Sequence, residues 1–597
     1  MSKKLRERNE IPDKYKWAVN KIYANVEEWN KDFDKLKVES VRLKNFAGKL
    51  SDSKVLLEYL KLNETLSRTL EKLYVYAQMR SHEDTSNTEF QALSSRIEGF
   101  VAEFSSYTSF FEPEILSLDE DKLMQDLDSN MELMKYKFFF KSILKEKPHI
   151  LSKDMEELLA SASDCLRAPE NIFEILTNAE LRIGNIEDEE GNTVELTEGN
   201  YGNYIRSKNR KVRESAFKSL FNAYKNYENT IATSLTSSIK TNVFKAKTRK
   251  YNSCLEASLS PNNIPTKVYF NALETVEKNL GLLHRYVSLK KKLLGLSEIH
   301  MYDLYVPVVD TPNEKIEYED AIKIVKEGLN VLGSEYIDIF TKGVDEGWID
   351  VFENKGKRSG AYSSGSYDTM PYVLLNYNYD LNDVSTIAHE MGHSIHSYYS
   401  RNNQPYIYGD YTLFSAEIAS TTNEILLIND LINKETDKKK KLYLVNQELE
   451  QIRTTVFRQL MFARFEIITH EALEKGEALT ATELNNIWLN LNKQYFGDDI
   501  VVDKEIEIEW ARIPHFYSDF YVYQYATGYA AASAFSKAIL NEGNTAIERY
   551  KGFLKDGGSK YPIDAIRDAG VDMEQAKPIE DTLERFKELL DILETLI

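Results

Sequence analysis

Cysteine is nearly missing. The 597 residues hold only Cys165 and Cys254, which excludes a disulfide framework and any C-x-x-C metal pair and fits a reducing compartment. No stretch approaches 18 consecutive apolar residues, and the basic opening MSKKLRERNEIPDKYKW carries no apolar segment of the signal-peptide kind. Neither a membrane span nor a secretory leader is therefore expected, and the reading is of a cytoplasmic protein. Positive charge is in deficit, with 75 Lys and Arg against 95 Asp and Glu, a formal net charge of −20. That balance argues against nucleic acid or an anionic membrane as the main partner. Internal repeats and low-complexity tracts are also lacking.

What is present reads as a large, folded, mainly helical protein. Apolar residues make up 42% and aromatic residues 12%, with 37 Tyr among them, enough for a sizeable core. Residues 1–25 form a polar arm ending in the anchors Trp17, Ile22 and Tyr23. From 26 to about 180, apolar residues recur at a spacing of three to four, predicting helices over roughly 52–81 and 87–112. Their aromatic stripes are assigned to packing. LRIGNIEDEEGNTVELT (181–197) has the composition of a β-hairpin around Glu190-Gly191-Asn192. A boundary is placed near 195–205, giving an N-terminal helical domain over 1–200 and a second domain over 201–597. Within the latter, 348–378 is rich in Gly, Ser, Tyr and β-branched residues, the composition of a small twisted sheet with a Gly-rich loop.

Histidine is scarce, nine residues in all, yet His389, His393 and His396 fall within eight positions. His389-Glu390-Met391-Gly392-His393 is an H-E-x-x-H. On a helix, four residues advance about 400° and roughly 6 Å, so both imidazoles leave one face a turn apart, as two ligands of one tetrahedral zinc require. Asn382 and Asp383 offer an N-cap, and Ile387, Met391 and Ile395 make a buried stripe. Glu390 points about 100° away, too far round to be a ligand but placed to act as general base on a metal-activated water. For the third ligand, the metzincin pattern is excluded, because His396 and Tyr399 stand where it needs Gly and His. The remaining option is a carboxylate on a following helix, and FSAEIASTTNEILL supplies Glu417, with Ala416, Ala419 and Ser420 keeping one side small. Glu424, two turns further along the same face, is a candidate partner for a ligand. His396 shares the His face but has no place in the ligand set, and is read as packing. A second His-Glu pair, His470-Glu471, lacks a second His at the required spacing.

HEMGHSIH followed by FSAEIASTTNE resembles the thimet-oligopeptidase (M3) family of zinc metallopeptidases, and most closely its oligoendopeptidase F branch. So do GKRSGAY (356–362), MPYVLLNYN (370–378), IPHFYSDFYVYQYATGYAAA (513–532) and DGGSKYPIDAIRDAGVDM (556–573). The resemblance implies a prolate helical body with a deep substrate channel walled by the N-terminal domain, and a small sheet beside one zinc per chain. It also implies a zinc endopeptidase cutting internal bonds of short unstructured oligopeptides. In such peptidases an edge strand beside the metal pairs with the substrate backbone, and Tyr372, Val373, Leu374, Leu375 and Asn376 are the candidate strand. The resemblance further implies that a His and two Tyr downstream bind substrate and stabilise the oxyanion; His515, Tyr521 and Tyr529 match best, with Tyr523 and Tyr525 as rivals across a one-residue gap. Two other readings stay open. One is a zinc carboxypeptidase of similar architecture, which would need a basic residue such as Arg358 or Arg512 near the cleft. The other is a zinc-stabilised peptide-binding protein without turnover, which would have no use for Glu390.

Overall fold

The computed structural model describes residues 5–310 and 314–597; the first four residues of the N-terminal arm lie outside them. Helices dominate, and among the described residues the seven strands are each two or three residues long. The chain forms two compact units, each assembled from separated stretches: 1–147, 314–430 and 535–571 in one, 148–313, 431–534 and 572–597 in the other. The boundary expected near 195–205 falls inside the second unit. Helices far apart in sequence share a core, and a reading along the chain does not register that.

In the first unit, Ser53–Glu83 begins at Asp52, whose carboxylate accepts the N–H groups of Lys54 and Val55. Thr88–Thr108 begins at Asn87 in the same way, each cap satisfying donors the helix itself leaves open. These helices pack on Val26–Ser40 around Trp29, Leu73, Ile97 and Phe100. Trp29 stacks on Phe33 and donates its indole N–H to the Leu73 carbonyl at 2.9 Å. The same core reaches Tyr372 and Leu374, so the aromatic stripes are packing residues.

Those two belong to a three-stranded sheet whose order is Ile349–Asp350, Tyr372–Leu374, Tyr362–Ser364. Tyr372–Leu374 is therefore the middle strand, parallel to one neighbour and antiparallel to the other. Val373 and Leu375 donate to the carbonyls of Trp348 and Asp350, and Tyr372 to Leu375 are at most 2% exposed. The substrate-pairing role expected for Tyr372, Val373, Leu374, Leu375 and Asn376 is thus overturned, because both edges of that strand are already bonded. Asn376 donates to the Arg358 and Gly360 carbonyls and so fastens the Gly-rich loop. The open edge belongs to Tyr362–Ser364, all three half-buried. The N-terminal arm reaches the sheet through Arg8, which pairs with buried Asp350, and Lys357 of the Gly-rich loop pairs with the same carboxylate.

The second unit packs Glu228–Thr248, Arg458–Glu474 and Ala481–Phe496 around Trp488, Trp510 and Phe516. Asn185–Glu187 and Thr193–Glu195 pair antiparallel, with Gly191 supplying the left-handed φ of the turn. No helix of the described residues is long and apolar enough to cross a membrane.

Candidate active site

The H-E-x-x-H helix runs from Leu381 to Asn403. Its cap is Asp380, two residues before Asn382, the first of the two candidates read from sequence: Asp380 accepts the Asp383 N–H, and Asp383 reaches back to the Asp380 N–H. Ile387, Met391 and Ile395 are fully buried, which turns His389 and His393 together toward the neighbouring helix, Leu413–Lys434. The two backbones touch at Gly392, where an added Cβ would lie 2.6 Å from the Ser420 Cα and 2.9 Å from the Ala419 carbonyl. Buried Asn423 ties the pair again, donating to the Ala388 carbonyl at 3.0 Å and accepting from the Tyr336 hydroxyl at 2.8 Å. This close approach brings Glu417 to the imidazoles.

Glu417 Oε2 lies 3.4 Å from His389 Nε2 and 3.6 Å from His393 Nε2, and the three ligand atoms fit within 4.8 Å. Tetrahedral bonds of about 2.0–2.1 Å set ligand atoms about 3.3–3.4 Å apart, close to the two separations from Glu417, and two imidazoles with one carboxylate are a donor set that suits zinc. The other ring nitrogens are also committed. His389 Nδ1 faces Glu424 Oε1 at 3.5 Å, a carboxylate behind a ligand, and His393 is hydrogen-bonded to the backbone of Ala416. His396 is 1% exposed and stacks on Tyr411 with ring centroids 3.6 Å apart, away from the ligand set.

The electrostatics match a cation site. Burial opposes charge on His389, but the hydrogen bond and charge of Glu424, then Glu390 and Glu417, outweigh it and lift its pKa to about 9. Burial and the charge on His389 hold His393 down to about 4. Three carboxylates thus draw positive charge that the two imidazoles supply only once. Glu390 is 7% exposed, and burial raises its pKa to about 7, against the pull of His389 and of the Ser363 backbone N–H. The open-edged strand therefore lies against Glu390, and Ser363 and Ser394 share a hydroxyl–hydroxyl hydrogen bond of 2.8 Å.

In the second unit, His515, Tyr521 and Tyr525 form one half-buried face. His515 and Tyr521 are near-parallel at 6.0 Å, Tyr525 meets Tyr521 edge-on at 5.4 Å, and the Tyr525 hydroxyl lies 3.3 Å from His515 Nε2. Burial lowers the His515 pKa. Tyr523 and Tyr529 sit elsewhere, 1% and 3% exposed, with the Tyr529 phenol near enough to Arg585 to raise that guanidinium's pKa. Of the two basic residues named for a carboxypeptidase, Arg512 is tied to Glu198 and Arg358 to His82.

The profile of Peptidase family M3 matches residues 203–585, and that of Oligopeptidase F matches residues 114–183. The chain belongs to peptidase family M3. As an M3 metalloendopeptidase it is 47% identical over 594 residues to Oligopeptidase PepF of Bacillus subtilis, covering 99% of this chain and 89% of that one. It is 40% identical to an oligoendopeptidase F homolog of Lactococcus lactis, over 99% and 98% of the two chains. A crystal structure of a putative peptidase from Chlamydophila abortus matches at 39% identity and TM-score 0.95, over all of both chains. That of oligoendopeptidase-F from Enterococcus faecium matches at 38% identity and TM-score 0.74, over 96% and 99%.

Sequence reasoning anticipated the close approach of the two helices but missed three features: Gly392 as its point of contact, the tie made by Asn423, and the open edge at Tyr362–Ser364. The polar run Ser420-Thr421-Thr422-Asn423, between Ile418-Ala419 and Ile425-Leu426-Leu427 of the same helix, was the available signal for Asn423, since such groups stay buried only when bonded. The open edge had no local signal, because SGAYSS and PYVLL both read as strand.

Proposed function

We propose that this M3 peptidase is a zinc-dependent endopeptidase that cuts internal bonds of short unstructured peptides in the cytoplasm. The observation that carries the reading is the triad His389, His393 and Glu417 at ligand spacing, with Glu390 buried beside it. The restriction to short peptides draws support from the names of the relatives, which are oligopeptidases and oligoendopeptidases.

When bound, zinc supplies a Lewis acid that polarises the scissile carbonyl and acidifies the attacking water. Glu390 takes that water's proton and returns it to the leaving nitrogen; a pKa near 7 suits both transfers. Glu424 holds His389 in the tautomer that presents Nε2. The edge of Tyr362–Ser364, rather than Tyr372–Asn376, offers its backbone to an extended substrate. His515 and Tyr521 bind the substrate, through an imidazole and a phenol that can each donate to it. Tyr525 is the better second phenol than Tyr529, because it shares their half-buried face while Tyr529 is 3% exposed.

Endoproteolysis is favoured over the carboxypeptidase reading because Arg512 is committed to Glu198 and Arg358 to His82. The test is a digest of one disordered sequence at graded lengths beside a stable folded protein, with products identified by mass spectrometry. Internal cuts in the short peptides, abolished by a chelator and restored by zinc, are expected. Equal cleavage of the folded protein, or release of single C-terminal residues alone, would refute the assignment.

A further inference from the structure

The segment 513–522, which carries His515 and Tyr521, is held at its far end by a group that touches neither. Phe520 adopts a left-handed φ of +53°, a conformation that side chains other than glycine take at a cost. Its ring is 1% exposed, 4.5 Å from His470 and 5.7 Å from Tyr269. The peptide unit joining Asp519 and Phe520 is gripped at both ends. The Phe520 N–H donates to Glu466 Oε1 at 2.6 Å, and the Asp519 carbonyl accepts from the Ser258 hydroxyl at 3.0 Å. The two rotatable bonds that flank this planar peptide, ψ of Asp519 and φ of Phe520, are thereby restrained, and the next residue is Tyr521.

Glu466 is an expensive way to satisfy one N–H. It is 2% exposed, and among the described residues its Oε2 has no hydrogen-bond partner and no cation pairs with it. Burial drives its pKa well above the ordinary carboxyl range, which is the cost of an acid placed in the core without a countercharge. A leucine of similar volume would pack there without that desolvation cost. What a leucine cannot do is hold the 519–520 peptide against Phe520's left-handed strain.

We propose that Glu466, with Ser258, is a positioning residue for peptide hydrolysis: clamping the 519–520 peptide sets the Tyr521 hydroxyl within the His515–Tyr521–Tyr525 face. The proposal rests on the reading above that this face serves the substrate. It predicts that the clamp acts on turnover through Tyr521, not on metal binding and not on ground-state affinity.

The experiment uses the full-length, zinc-loaded enzyme and an internally quenched peptide. Glu466→Leu is expected to lower kcat about 10- to 100-fold, with KM changed by less than about threefold and one zinc retained. Glu466→Gln, which keeps the Oε1 acceptor, should recover most of that loss. Tyr521→Phe should lower kcat as well, and the double variant Glu466→Leu/Tyr521→Phe should be no slower than the slower single one, because both remove the same contribution. Unchanged kcat in Glu466→Leu beside an impaired Tyr521→Phe overturns the clamp alone. Losses that multiply in the double variant also overturn it, since they mark a structural role independent of Tyr521. An inert Tyr521→Phe overturns the assignment of Tyr521 and the clamp with it. Should Glu466→Leu not fold, Ser258→Ala carries the test from the other end of the peptide: a fall in kcat of about 3- to 10-fold supports the clamp, and an unchanged kcat refutes it.

Discussion

Gly392→Ala is the smallest change that tests how the metal triad is assembled. The new Cβ would lie 2.6 Å from the Ser420 Cα and 2.9 Å from both the Ala419 carbonyl and the Ser420 nitrogen. Carbon atoms pack comfortably at about 3.5 Å or more, so the two helices must separate by about 1 Å. Glu417 sits one turn before Ser420 and moves with it. Its separations from His389 and His393, now 3.4 and 3.6 Å, would then approach about 4.5 Å, while ligand distances tolerate only about ±0.2 Å. A strained Glu417 rotamer recovers part of the gap at about 0.5–1.5 kcal/mol. Zinc affinity is expected to fall about 10- to 100-fold, as when a ligand's support is removed. The metal-free protein should suffer less, because overpacking costs about 1–3 kcal/mol and alanine returns about 1 kcal/mol of helix propensity. Competitive zinc titration against a chromophoric chelator, with thermal melts of both metal-free proteins, separates the two effects. Ser420→Gly should not rescue the variant, because the clash is with backbone atoms. Zinc affinity within twofold of the parent would refute the argument that contact at Gly392 places Glu417.

Four further outcomes are expected. Glu390→Gln should keep its zinc by elemental analysis while hydrolysis falls at least about 10³-fold, since an amide cannot take the proton; lost zinc with normal turnover per bound ion would remove Glu390 from the role of base. His389→Ala, His393→Ala and Glu417→Ala should each lose the metal, whereas His396→Phe should retain it. Tyr525→Phe should lower kcat with KM little changed, and Tyr529→Phe should matter less; the reverse order would return the donor role to Tyr529. His396 also predicts a pH dependence. Burial, then the charge of His393, depresses its pKa from the usual 6.5 to about 3, so the unfolded chain binds a proton that the folded chain refuses. Stability is then intact above pH 6.5 and lost as pH falls toward 3, by about 2 kcal/mol at pH 5. Urea melts of the His396→Phe protein should show a shallower decline over that range than the parent, and parallel declines would exclude His396 as the cause.

The chain by itself determined whatever a helix or a cap imposes locally. Four-residue spacing puts His389 and His393 on one face, wherever the helix lies, and the stripe Ile387, Met391 and Ile395 decides which face is buried. The small residues around Glu417 likewise announced a close partner helix before the partner was visible. Tertiary structure decided everything that turns on an atom supplied from far away. The run Tyr372–Leu375 reads the same whether one edge or both are bonded, and it is a middle strand because Ile349–Asp350 and Tyr362–Ser364 flank it. Tyr525 and Tyr529 are four residues apart on one helix, which makes them equivalent by periodicity; burial beside Arg585 separates them. Glu466 carried no local mark at all, since its side-chain hydrogen bond reaches an N–H 54 residues away. Periodicity encodes the direction in which a side chain leaves the backbone, whereas the group it meets is fixed only when distant segments pack.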